Sequence, residues 1–368
     1  MLCALEFSES ICYIASMSDI LTDTKCIDLF CGIGGLTHGL EKEHVRVVAG
    51  IDIDPDCRTG YEENNLARFV ASDIAEVTPE DLSKLYVGAR VRVLVGCAPC
   101  QPFSGLNRAG LSSDKVAPLR RFGELVSDLR PEIVSMENVR GLAQPGKYPV
   151  FREFLNLLHA HGYSVSCNIV DASDYGVPQK RVRLVLLASR LGEIRLIHPT
   201  HLEKVTVRDA IGHLPTLEAG GADPIDVLHR AVRMNELNRR RIEATPKDGG
   251  DSVSWPDELL PNCYRRASGR SYRYTVYGRM WWDKPAPTIT TKCVGFGNGR
   301  FGHPEQNRSI TLREAALLQT FPPEYQFVHR DRPVPVTAVA RFIGNAVPVR
   351  LGQVIGNSIR THIAERCC

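Results

Sequence analysis

Asp28-Leu-Phe-Cys-Gly-Ile-Gly-Gly35 follows the apolar stretch Cys26 to Leu29 and leads into Leu36 to Lys42. The order is strand, glycine turn and helix start. Glycines let a backbone approach a ligand closely, and a helix amino terminus offers free N–H groups, so such a turn can cradle a nucleotide-like cofactor. One strand later, Val47 to Ile51 ends in Asp52, about twenty positions beyond the turn, where a carboxylate can accept from ribose hydroxyls. Asp73, in Ala71-Ser-Asp-Ile74, repeats the pattern after a third strand.

Gly96-Cys-Ala-Pro-Cys-Gln-Pro-Phe-Ser104 sits at the end of the apolar run Val91 to Val95. A buried strand ending at Gly96 delivers Cys100 to the carboxyl edge of a parallel sheet, and Pro99 stiffens the approach. Cys100 is the candidate nucleophile, although Cys97 and Cys100 also make a Cys-x-x-Cys pair suited to a redox couple or half a zinc site. Glu137 follows the apolar strand Ile133 to Met136, where desolvation suits a carboxyl group to acid chemistry. Asn138 is placed to fix the adjoining loop through side-chain to backbone bonds. Strand alternation in Gln179-Lys-Arg-Val-Arg183 sets Arg181 and Arg183 on one face, a pair suited to an anion.

These elements resemble, in order and spacing, the DNA (cytosine-5)-methyltransferases of bacterial restriction–modification type. The matching motifs are Asp28 to Gly35, Pro99-Cys-Gln101, Glu137-Asn-Val139, Gln179 to Arg183, Arg313-Glu-Ala-Ala-Leu-Leu-Gln-Thr-Phe-Pro322 and Gly344-Asn-Ala-Val-Pro348. The resemblance implies S-adenosyl-L-methionine as methyl donor, S-adenosyl-L-homocysteine as product and no metal. Its catalytic set falls on Cys100, Glu137, Arg181 and Arg183: a thiolate that adds to cytosine C6, an acid at N3, and cations that position the base. Its cofactor set falls on Phe30, Gly32, Gly34, Gly35, Asp52, Ile53, Asp73, Ile74, Pro99, Asn345 and Val347. The ribose position often holds glutamate in this family, so the shorter Asp52 is a departure. Double-stranded DNA is the implied partner, with the target cytosine flipped out of the stack because C5 and C6 are inaccessible inside a duplex. A cognate restriction endonuclease, a monomeric state and the bacterial cytoplasm complete the implied setting.

Composition agrees with a globular enzyme. The 368 residues are 43% hydrophobic and 24% charged, enough for a full core and two lobes. Twelve scattered cysteines and a nucleophilic thiol point to a reducing compartment without a disulfide framework. No transmembrane stretch is present. The first sixteen residues lack the basic start of a signal peptide, so translation is expected to begin at Met17 and residues 1–23 to be disordered or a non-native extension. The expected fold is α/β, with a Rossmann-like, mixed but mostly parallel sheet, helices on both faces and a smaller irregular target-recognition lobe. The catalytic domain spans 24–189 and 333–368, the recognition domain 190–332. Helices are expected over Leu119 to Leu129 and Val150 to Leu158, and a closing loop between Gln101 and Pro118.

Net charge is only +3, but Asn262 to Arg308 carries nine lysines and arginines against Asp283 and Glu305, interleaved with Tyr264, Tyr272, Tyr274, Tyr277, Trp281 and Trp282. That stretch is read as the DNA-contacting surface. Three other functions fit parts of the pattern. A tRNA cytosine-5 methyltransferase shares the motifs, a thiol oxidoreductase uses Cys97 and Cys100 alone, and a catalytically silent sequence-specific DNA-binding protein has no need of a filled catalytic set. The base sequence recognised is not readable from one chain, since groove readout depends on a few side chains and local DNA shape.

Overall fold

A computed structural model describes residues 23–99, 113–144, 146–265, 276–329 and 331–367. The candidate nucleophile Cys100, most of the expected closing loop, Arg266, Arg270, Tyr272, Arg273 and Tyr274, and the expected extension up to residue 22 lie outside the described residues. The chain divides into two compact units. The first comprises residues up to Asp171, Val182–His198 and Val349 onward; the second comprises Ala172–Arg181 and Pro199–Pro348.

The first unit is built on seven strands: β1 Thr24–Leu29, β2 Val47–Asp52, β3 Arg68–Ala71, β4 Val91–Gly96, β5 Ile133–Val139, β6 Ser164–Asp171 and β7 Val182–Ser189. Their spatial order is β3-β2-β1-β4-β5-β7-β6. The first five pair in parallel, while β7 runs antiparallel to both β5 and β6. This is the expected mixed, mostly parallel sheet. Strand order reverses between β1 and β4, and ligands of open α/β sheets bind at such a switch point, beyond the carboxyl ends.

Helices cover both faces because each central strand buries both sets of alternating side chains. Ile27 and Leu29 of β1 face a core shared with α3 Pro79–Leu85, α4 Ser113–Leu129 and α5 Pro149–Ala160, where Phe122 stacks on Phe154 at 5.5 Å. Both expected helices are found, α4 running back through Pro118 and α5 one residue earlier and two later than the apolar spacing indicated. On the opposite face, Asp28 bonds to Thr37 of α1 Gly35–Lys42, which packs against α10 Val349–Cys367. The short α2 Arg58–Glu62 joins β2 to β3.

The second unit is irregular, as expected of the smaller lobe. Its helices are α6 Val207–Ile211, α7 Glu236–Glu243, α8 Leu312–Leu318 and α9 Val336–Asn345. A small core of Ile242, Trp255, Leu259, Leu260, Tyr264 and Phe296, with Tyr277 against it, replaces a sheet. The boundaries differ from those expected at 189/190 and 332/333. Residues 190–198 stay with the sheet, where Ile197 N–H donates to Ser358 of α10 at 3.0 Å. Residues 333–348 belong to the second unit because Gln319 Nε2 donates to the Ile343 carbonyl and Gly344 lies against the Thr290 backbone.

The expectation for the basic segment needs correction. Arg279, Arg300 and Arg308 are buried, and their guanidinium groups serve the unit's own fold. Arg279 donates to carbonyls of Thr245, His303, Gln306 and Ile242, and burial pulls its pKa down to about 10, which leaves it charged at neutral pH. Arg308 holds Glu314 through two bonds of 2.8 Å. A fixed planar fork of donors suits arginine to collecting carbonyls where loops cannot satisfy one another. Tyr264, buried, and Tyr277, half-buried, pack edge to face on one another at 6.4 Å. Lys284 and Lys292 remain exposed.

Close packing of α1 on α10 requires Gly39. A Cβ there would lie 2.4 Å from the Val349 carbonyl oxygen and 2.6 Å from Gly352 C, both backbone atoms. Alanine is better than glycine inside a helix by about 1 kcal/mol, but overpacking of this kind costs about 1–3 kcal/mol or more. Gly39→Ala is therefore expected to lower stability in urea unfolding; an unchanged or raised midpoint would reject the close approach.

Candidate active site

Cofactor-type residues gather at the carboxyl ends of β1, β2 and β3. Phe30 leaves β1 with φ 60°, and Gly32 and Gly34 follow at φ 51° and 91°. Gly34 caps α1 in the left-handed region without a side-chain bond, and Gly35 opens the helix. At Gly32 a Cβ would meet nothing within 4 Å, so the turn leaves room for a ligand beside the backbone. Asp52 anchors this turn: its Oδ2 accepts from Gly32 N–H at 2.8 Å and its Oδ1 from Asp54 N–H at 2.9 Å. The short aspartate side chain thereby fixes the turn to the end of β2. Ile53 beside it is an apolar side chain left 66% exposed. Asp73 accepts from Ala75 N–H at 2.9 Å, while Ile74 is buried in the core, leaving only its backbone for a ligand. An open glycine cradle, an exposed apolar side chain and carboxylates fixed by backbone N–H groups fit an adenosine-bearing sulfonium cofactor.

Under the cradle lies a buried polar chain. Thr37 Oγ1 donates to Asp28 Oδ2 at 2.7 Å and lies 3.0 Å from the Tyr61 hydroxyl. Asp28 Oδ1 has no hydrogen-bond partner among the described residues. Burial pushes the Asp28 pKa from its ordinary 3.8 up to about 7; the Thr37 bond opposes this and the nearby Asp52 charge adds to it.

The second cluster sits at the ends of β4 and β5. Glu137 is 3% exposed on β5. Its Oε1 meets Arg183 Nε of β7 at 3.0 Å, an ion pair between diagonal neighbours, since Val139 is the residue opposite Arg183. Its Oε2 lies 2.9 Å from Cys97 Sγ. Asn138 donates from Nδ2 to the Ala98 carbonyl at 3.1 Å and accepts from Val139 N–H at 2.9 Å, as its expected loop-fixing role requires. Pro99 is exposed at the last described position of this loop.

The two arginines separate. Arg181 precedes β7 and belongs to the second unit, buried and donating to the Ile289 carbonyl at 3.1 Å and the Ala346 carbonyl at 3.0 Å. The expected shared strand face does not form, because only Arg183 lies within β7. Asn345, exposed, and Val347, buried, also belong to the second unit. Sequence reasoning assigned no role to Gln179 and Gln319, yet both are fully buried. Gln179 Nε2 donates to Gln319 Oε1 at 2.9 Å, its Oε1 accepts from Ile289 N–H at 2.8 Å, and Gln319 Nε2 bonds the Ile343 carbonyl at 2.6 Å. Polar residues at positions that pack as core are the only signal that could have found them. Cys97, read in the sequence as one half of a Cys-x-x-Cys pair, meets Glu137 of the neighbouring strand.

Residues 24–361 match the model of the family described as C-5 cytosine-specific DNA methylase. The type II methylase M.HgiDII of Herpetosiphon aurantiacus is 50% identical over 336 residues, covering 91% of this chain and 94% of that one. The type II methyltransferase M1.HphI of Haemophilus parahaemolyticus is 31% identical, over 90% and 86% of the two chains. A solved protein described as a DNA modification methyltransferase encoded within an E. coli prophage shares the fold, with TM-score 0.70 and 21% identity over 92% of this chain and 99% of its own.

Asp28 sets a pH dependence. Below pH about 3.8 the group is neutral folded and unfolded; from there to about 7 the unfolded chain ionises while the folded one keeps its proton, so stability falls as pH rises. Relative to Asp28→Asn, the wild type is expected to lose a few kcal/mol between pH 4 and 7, at about 1.4 kcal/mol per unit. Urea midpoints measured across that range check this, and parallel pH curves for the two proteins would contradict it.

Proposed function

Because the chain belongs to the C-5 cytosine-specific DNA methylase family, we propose that it methylates one cytosine within a short specific sequence of double-stranded DNA, as the modification enzyme of a type II restriction–modification system. The reading rests most on one observation: Asn138 binds the Ala98 carbonyl, so the Glu137 carboxyl and the backbone two residues before Cys100 share one sheet edge. Named relatives of type II kind support the biological setting.

The chemistry follows from cytosine itself. C5 is a weak nucleophile until C6 carries an added group, and Cys100 is assigned that addition as a thiolate. Adding to C6 forms the S–C6 bond and pushes an electron pair into the ring toward N3, where Glu137 delivers a proton or a strong hydrogen bond. Arg183 pairs with the Glu137 carboxyl, holding it in place. S-adenosylmethionine, when bound, supplies an electrophilic methyl group on sulfur to the activated C5. Solvent water then takes the C5 proton, the C5–H electron pair forms the C5=C6 bond, the S–C6 bond breaks with its pair leaving on Cys100 as thiolate, and the aromatic ring is restored. Phe30, Gly32, Gly34, Gly35, Asp52, Ile53 and Asp73 are assigned to hold the cofactor, Phe30 and Ile53 by apolar contact and the aspartates by accepting from hydroxyl and amino groups. Arg181 is assigned a supporting role within the second unit. That unit is assigned to reading the target sequence.

We assign the activity to a monomer in the bacterial cytoplasm working beside a cognate endonuclease, a setting suggested by the type II names of the relatives. The oxidoreductase reading leaves Glu137 and Arg183 without a task, and the silent-binder reading leaves the whole catalytic set without one.

Methylation sequencing of duplex DNA treated with purified protein and S-adenosylmethionine, beside a tRNA reaction and Cys100→Ala, tests this. We expect 5-methylcytosine at one short motif and none with the variant, which should still bind cofactor. Labelled tRNA with unmodified DNA would overturn the substrate, and turnover by Cys100→Ala would overturn the nucleophile.

A further inference from the structure

Cys97 has no part in the reaction as derived so far. Gly96 on β4 is level with Met136 on β5, so the next residues, Cys97 and Glu137, are also neighbours across strands about 4.8 Å apart. Their side chains meet, with Sγ 2.9 Å from Oε2. The opposite oxygen, Oε1, is 3.0 Å from Arg183 Nε. The carboxyl group thus has a thiol donating to Oε2 from one strand and a guanidinium charge beside Oε1 from another, while Oε1 itself has no hydrogen-bond partner among the described residues.

The arrangement bears on what Glu137 has to do. Handing a proton to N3 leaves a carboxylate with 3% exposure, and a buried anion is costly unless donors replace the lost water. Arg183 serves Oε1. We propose that Cys97 is a positioning residue for Glu137: its S–H donates to Oε2, fixes the plane of the carboxyl group and stabilises the carboxylate formed when the proton moves to N3. No proton leaves Cys97 in this step. The Glu137 proton goes to N3 as the S–C6 bond forms, and returns to the carboxylate when that bond breaks. The inference rests on the reading of Glu137 as the acid.

The competing role is that of a small apolar filler at the strand end, and the two rank the same substitutions in opposite order. Serine keeps a donor and adds polarity; alanine keeps an apolar group and removes the donor. The experiment compares Cys97→Ser, Cys97→Ala and Glu137→Gln in the full chain. It measures kcat, KM for S-adenosylmethionine and for the duplex identified by sequencing, and melting temperature. A hydrogen bond to a charged group is worth about tenfold or more in rate. Cys97→Ala is therefore expected to lose at least about tenfold in kcat with both KM values and melting temperature near wild type, and Cys97→Ser to stay within about threefold. Wild-type kcat in Cys97→Ala, or a larger loss in Cys97→Ser than in Cys97→Ala, would overturn the proposal. Retained turnover in Glu137→Gln would instead remove the acid itself, so the two failures are distinct.

Discussion

Leu29, Gly96 and Met136 stand level on three adjacent parallel strands, and this register governs what the first unit can do. A parallel ladder sets neighbouring chains about 4.8 Å apart and sends all of them off the sheet in one direction. The glycine turn after Leu29, the loop after Gly96 and the acid after Met136 consequently leave the same edge. Slipping one strand by a single residue would exchange its two faces and turn Glu137 or Asp28 away from the partners they now have. Buried alternation on both faces of β1, β4 and β5 opposes such a slip, since each strand places apolar side chains into helix-covered layers.

Charge is withdrawn from water in several places, and each has a different remedy. Glu137 has a guanidinium on one oxygen and a thiol against the other. Glu314 receives both arms of Arg308 and caps its own helix by accepting from Thr311 N–H, so that a carboxylate and an arginine vanish together into the second unit. Among the described residues Arg279 bonds no carboxylate and relies on carbonyl oxygens. Asp28 takes the remaining route, keeping its proton until the pH rises to about 7. Removing one member of such a set leaves the other buried and unmatched, which costs more than the pair contributes.

Much of this was legible beforehand, for reasons particular to each element. The parallel sheet announced itself because its strands are continuous apolar runs separated by glycine turns and helical spacing, so Val91 to Val95 and Ile133 to Met136 need no partner to be recognised. Asn138 was readable because asparagine after a strand has few tasks other than bonding nearby backbone. The basic segment misled because charge was counted without burial: Arg279, Arg300 and Arg308 look like surface cations in one dimension and are internal fasteners in three. Domain limits were misplaced by a similar margin, since residues 333–348 carry a helical pattern that fits either unit, and only the Gln319 bond to Ile343 and the Thr290 approach to Gly344 show which one holds them.

The sequence by itself determined the elements whose signal is local: the strand, turn and helix at Asp28 to Gly35, the Pro-Cys motif, the acid after an apolar strand, and the family to which these belong. Tertiary structure alone decided which polar side chains meet. Arg181 and Arg183 are two residues apart and were read as equivalent, yet one is buried among carbonyls of the second unit and the other pairs with Glu137. Cys97 and Glu137 are forty residues apart and lie in contact. Periodicity reports the face on which a side chain lies, but the identity of its neighbour is set by strand order and register, which arise from packing across the whole sheet.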